Sequence, residues 1–167
     1  MHRSGVRSVV LASLLLAVGG CVYGFAGGGL PPGIKTVAVV PFENETSTPD
    51  LQRELTETLR KEFQRRLGLR DATEQRANAV VRGRIIRYDP DIPIGFSANP
   101  NQANTARRQL QITVDISIVD QATGKTLLER KNVASTGEYA ESAELAGRTQ
   151  AIEKLVTEII QGIQSQW

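Results

Sequence analysis

The chain has 167 residues, 40% hydrophobic and 23% charged, with 15 glycines and 7 prolines; this is the composition of one ordinary globular domain and excludes collagen-like, disulfide-framework and wholly disordered classes. Its single cysteine and single histidine, Cys21 and His2, fall near the start, which leaves no residues for a metal cluster, a disulfide scaffold or a histidine-based active site. The formal charge of +2 includes Arg3 and Arg7, which lie in a segment expected to be removed; the remaining 18 basic residues balance the 18 acidic ones, so nothing electrostatic favours nucleic acid as a partner.

Residues 1–20 carry Arg3 and Arg7, then the apolar run Val9 to Val18, then Gly19 and Gly20. These are the three parts of an export signal, and the run is too short to span a bilayer, which takes roughly 20 residues. Cys21 follows directly. A small-residue stretch ending in cysteine resembles the bacterial lipobox, in which the thiol receives a diacylglycerol and the freed amine is acylated. The alternative is a plain signal cleaved at small residues, with Cys21 incidental or retained as a transmembrane start. On the lipobox reading residues 21–33 are a lipidated tether, rich in glycine and proline, whose dozen residues after the cysteine reach roughly 40 Å at most. Several acyl chains exceed what stable anchoring takes. The mature domain, residues 34–167, is then held near a membrane.

Ile34 to Phe42 is an apolar, β-branched run that predicts a strand, ended by Pro41. Thr48-Pro49 predicts a helix start, and Leu51, Leu55, Leu59, Phe63 and Leu67 recur every four residues before Gly68 supplies a stop. The outer face of this helix carries Lys61, Arg65 and Arg66 at one end, either an anion-binding ridge or a solvated face of helix-spaced ion pairs. Ala79 to Tyr88 predicts a second strand with Val81, Gly83 and Ile85 on one face, Arg82 and Arg84 on the other, and a bulge at Ile85-Ile86.

Asp89 to Ala106, with Pro90, Pro93 and Pro100, predicts a long loop in which Ile92, Ile94 and Phe96 are free to meet a partner or the domain. Gln109 to Val119 alternates most regularly: Leu110, Ile112, Val114, Ile116 and Ile118 against Gln111, Thr113, Asp115 and Ser117, a strand with one wet face. A turn at Asp120 to Lys125 returns it as Thr126 to Ser135. Glu141 to Trp167 predicts a last helix with Leu145, Ile152, Leu155, Val156, Ile159, Ile160 and Ile163 on one stripe.

The expected fold is α+β: a two-layer sandwich of order β-α-β-β-β-α, with a four-stranded mixed sheet and two helices on one face. Arg82, Arg84, Gln111, Thr113, Asp115 and Ser117 are left on the open face. No cofactor or metal site and no enzyme is expected. There is no G-x-S-x-G elbow, and Gly124-Lys125-Thr126 sits in a hairpin turn without the first glycine of a phosphate loop.

Cys21-Val22-Tyr23-Gly24-Phe25, Leu30-Pro31-Pro32 and Ile34-Lys35-Thr36-Val37-Ala38-Val39, then Pro41-Phe42-Glu43-Asn44, resemble the opening of the LptE lipopolysaccharide-assembly lipoproteins. Leu51-x-x-Glu54-Leu55, Ala79 to Ile85 and Ile112 to Val119 with its Thr-Gly-Lys turn continue the resemblance across the mature chain. The Val-Ala-Val-x-Pro-Phe-x-Asn stretch is also similar to TolB-like, curli-secretion and penicillin-binding-protein-activator lipoproteins. The resemblance implies a palmitoylated lipoprotein on the periplasmic side of the cell outer membrane. Its partners would be an LptD-type β-barrel, which it plugs and helps assemble, and lipopolysaccharide, which it helps deliver to the outer leaflet. Expected lipopolysaccharide contacts are Arg107, Arg108 and Lys131, and Arg82 and Arg84 are expected to face the barrel. The alternative is a lipid-anchored periplasmic regulator or secretion component.

Overall fold

A computed structural model describes residues 30–93, 107–140 and 142–166. The expectations for the signal, for Cys21 and most of the tether, and for Ile94 and Phe96 fall outside these residues. The elements are β1 (Thr36–Val39), β2 (Glu43–Asn44), α1 (Pro49–Leu67), β3 (Arg70–Asp71), β4 (Ala79–Pro93), β5 (Arg107–Asp120), β6 (Thr126–Ala140) and α2 (Glu144–Gln164).

The sheet runs β3-β1-β4-β5-β6, with β2 also on β4. Pairing is parallel for β3, β1 and β2 and antiparallel for β4, β5 and β6. The expected α+β sandwich, mixed sheet and element order are present, but the sheet has six strands rather than four. The two extra strands are two residues long, too short to show alternation. β2 continues β1 along the same edge of β4: Val39 pairs with Val81 and Glu43 with Arg84. The first strand therefore takes one step more than β4 does, and it bulges around Pro41, which has no N–H to give to a ladder.

Side-chain polar groups fix these junctions. Asn78 Oδ1 accepts from the backbone N–H groups of Lys35 and Thr36 at 3.1 and 3.0 Å, pinning the entry to β1 beside the start of β4. Asn44 Oδ1 accepts from Thr46 N at 3.0 Å while its amide donates to the Thr48 carbonyl at 2.9 Å, shaping the turn into α1. Gly68 caps α1 at φ 65°, the left-handed conformation that glycine adopts without a Cβ penalty.

Leu51, Leu55, Leu59 and Phe63 of α1 are at most 1% exposed and share one core with Ile152, Leu155, Val156, Ile159, Ile160 and Ile163 of α2 and with Ile112 to Ile118 of β5. Each such side chain contributes about 1.5–3 kcal/mol by leaving water. Two glycines permit close approach. A Cβ on Gly83 would overlap the Phe42 ring and the Asp115 carbonyl, and one on Gly137 would overlap the Gly147 backbone of α2. Leu145, expected on the α2 stripe, is 61% exposed; the stripe ends instead at Arg148, which turns toward α1. On the other sheet face Ala38, Ala77 and Val80 form a small second cluster beneath the segment joining β3 to β4.

Candidate functional site

β5 places Gln111, Thr113, Asp115 and Ser117 on the sheet face away from the helices, all half-buried, while its alternate residues are buried beneath α1 and α2. β4 adds Arg82 and Arg84, both exposed. The bulge falls where the pattern places it: Ile85 pairs with Val114 and Arg87 with Thr113, leaving Ile86 as the extra residue.

Arg84 organises the middle of this face. Its guanidinium donates to Asp115 Oδ2 at 2.8 Å and lies 3.3 Å from Glu45 Oε1. Asp115 Oδ1 accepts from the Asn132 backbone N–H at 2.8 Å. The Arg84 hydrogen bond, helped by that N–H, holds the Asp115 carboxyl below the ordinary aspartate range. Asn132 has φ 54°, a conformation asparagine tolerates better than most residues, at a register shift between β5 and β6. Arg82 donates to Glu74, and Lys131 lies 3.4 Å from Glu129. Between them is a shallow depression of about 280 Å³ lined by Glu43, Arg82, Arg84, Asp115, Ser117 and Lys131.

The structure thus brings Lys131 together with Arg82 and Arg84, and separates it from Arg107 and Arg108. Arg108 pairs with Tyr139, eight residues along β6 from Lys131, a distance of about 25 Å along a strand. Arg107 and Arg108, being consecutive, point to opposite faces; Arg107 lies 3.8 Å from Glu138, and Arg108 is ion-paired to Asp91. Sequence reasoning does not find Glu45, Glu74 or Asn132. Two of them sit in irregular segments that only tertiary folding brings to the sheet, and the third had only its asparagine identity as a signal.

A second polar cluster closes the opposite end of the helical layer. Arg148 grips Glu54 with two hydrogen bonds of 2.9 and 3.0 Å, side chains 14% and 20% exposed. Tyr88 donates to Glu144 Oε1 at 2.6 Å, and burial together with that carboxylate pushes the phenol up out of its ordinary range. These groups join β4, α1 and α2.

On the open face opposite charges meet at fixed geometry, and Asp115 is held ionised. Among the described residues no group of histidine, cysteine and carboxylate side chains is disposed to hold a metal, and no helix is long and apolar enough to cross a membrane.

The fold is a two-layer α+β sandwich with two helices on one face and a polar, charge-paired face on the other. The chain belongs to the LptE lipopolysaccharide-assembly family, whose model matches residues 34–167; the family comprises accessory, non-enzymatic lipoproteins of the outer membrane. Solved structures with a similar fold include the PelC dodecamer of Paraburkholderia phytofirmans, with a TM-score of 0.52 and 19% identity over 82% of this chain and 93% of that one. A Xanthomonas campestris protein gives 0.54 and 13% identity over 83% and 92%. A hypothetical protein of Chlamydia trachomatis gives 0.51 and 9% identity over 79% and 99%. At these identities the likeness is one of fold. No curated protein matches the sequence.

Proposed function

We propose that this lipopolysaccharide-assembly lipoprotein plugs and helps assemble an LptD-type outer-membrane β-barrel and assists lipopolysaccharide delivery to the outer leaflet, anchored on the periplasmic side through lipid on Cys21. The observation that carries this reading is the open sheet face. Arg84 sits between Glu45 and Asp115, and Arg82 is paired with Glu74, so the middle of the face is polar and charge-paired. Large barrels have polar lumens. A plug there needs hydrogen-bonding groups without a net field, and an 18-to-18 charge balance suits that environment. Arg82 and Arg84 are the proposed wall contacts.

Lipopolysaccharide contact is proposed at Arg107 and Arg108, with Lys131 as a separate point on the open face. Each of these cations has a carboxylate neighbour that a phosphate would replace with a denser charge and more acceptors. The test is co-purification. A photo-crosslinking residue at Thr113 is expected to capture a large, heat-modifiable β-barrel, and one at Gln64 on the outer side of α1 to capture it less. A chain that captures no barrel and instead assembles alone into a ring, or binds a cell-wall synthase, contradicts the assignment and favours a regulator or secretion component.

A further inference from the structure

Strand and helix directions gather the start of β1, the end of α1, β3, the start of β4 and the β5–β6 turn at one end of the sandwich. The N-terminal segment enters at this same end: Leu30 and Ile34 pack on the core, and Ile34 N donates to the Pro31 carbonyl at 2.9 Å. Lys35, Arg70 and Arg76 are exposed here. Lys35 immediately precedes β1 and Arg70 opens the neighbouring β3, the two joined by the Arg70 N–H to the Lys35 carbonyl at 3.0 Å, and Arg76 lies in the turn that leads into β4.

Four carboxylates of this end are already engaged, and the exposed Glu158 of α2, next to the Thr157 that meets Arg66, is a fifth carboxylate there. Glu62 holds Arg65, Asp71 lies 3.7 Å from Arg60, Glu74 holds Arg82, and Asp120 accepts from Ala122 N and Thr123 Oγ1 within its own turn. Among the described residues the side chains of Lys35, Arg70 and Arg76 make no ion pair. The far end is the reverse: Arg53, Arg107, Arg108 and Arg148 each have a carboxylate. A globally neutral domain therefore presents uncompensated positive charge on the end where its tether arrives.

We propose that this end is a docking surface for anionic phospholipid headgroups, with Lys35, Arg70 and Arg76 as the contacts. The inference rests on Cys21 being the lipid anchor. Even fully extended, the nine residues from Cys21 to Leu30 span at most about 30 Å, so the anchored domain stays close to the bilayer, and the end facing it is the one carrying these cations. A basic patch beside a lipid chain is the second signal that turns tethering into a fixed orientation, here holding the open sheet face beside the anchor point rather than against the lipid.

Vesicle flotation of the processed chain carrying Cys21→Ser, in which no acyl chain contributes, tests the surface apart from the anchor and from any barrel. At low salt the protein is expected to float with vesicles of phosphatidylcholine and phosphatidylglycerol and not with phosphatidylcholine alone. Lys35→Gln, Arg70→Gln and Arg76→Gln should each weaken binding about fivefold, and the triple variant about a hundredfold. Arg87→Gln, removing an exposed cation of the open face, should leave binding unchanged. Equal binding to both vesicles, an equal loss with Arg87→Gln, or release by millimolar inorganic phosphate but not by chloride of the same ionic strength, would overturn the proposal. Failure of the barrel assignment would leave these results unmoved.

Discussion

Arg84 and Asp115 are register partners on β4 and β5, and their side chains meet at 2.8 Å on the open face of the sheet. Because the same carboxylate takes the Asn132 N–H, one aspartate ties three strands together at the point where β6 bulges. Its pKa is lowered in the folded chain, first by Arg84 and then by Asn132. The stability it contributes is therefore present above the unfolded value, about 3.9, and is lost as pH falls through the lowered folded value. Asp115→Asn should be less stable than the parent near neutrality, and the gap between their urea midpoints should close in acid below about pH 4. A gap that stays constant to the lowest pH at which both chains fold would contradict this role for the charge.

Gly83→Ala and Gly137→Ala should each destabilise the domain by about 1–3 kcal/mol, since the new methyl meets the Phe42 ring and a neighbouring carbonyl in one case and the α2 backbone in the other. Gly33→Ala, where a Cβ meets nothing within 4 Å, should change stability by less than about 0.5 kcal/mol. Chemical denaturation of the three variants checks both expectations.

Much of this was legible in the chain. The strict alternation of Leu110 to Ile118 sets the buried and open faces of β5, the phase change after Ile85 marks the bulge, and Gly68 ends α1. The strand ends were harder to read. Pro90 and Pro93 suggest a loop from Asp89 onward, yet β4 continues to Pro93. Its neighbour on one side, β2, stops pairing at Ile85, so beyond that point β4 is an edge strand, where a missing N–H costs no ladder bond, and the register shift between Asp89 and Ile92 absorbs the irregular step. The acidic partners of Arg82 and Arg84 come from segments with no periodicity. The open face was therefore visible in the sequence, and its charge pairing was not.

The Arg148–Glu54 grip joins the two helices across 94 residues of sequence. Arg148→Ala leaves a largely buried carboxylate without its partner, and Glu54→Ala does the converse. Each should cost about 1.5–3 kcal/mol, and the double variant should cost less than the sum of the two. A double-mutant cycle in urea reads this directly; strict additivity would show that the two side chains do not act as a pair.

Cys21→Ser should move the chain from the membrane fraction to the soluble periplasmic extract, because the domain alone retains only its weaker surface attraction for lipid. Mass spectrometry of the parent should find a diacylglyceryl thioether at this residue. An unmodified thiol in material released freely from cells would remove the anchor.

Depleting the protein from growing cells and following mature LptD-type barrel and surface lipopolysaccharide tests the central assignment most directly. If the domain plugs and helps assemble the barrel, both should fall together as the protein is lost; normal levels of both in its absence would contradict the account.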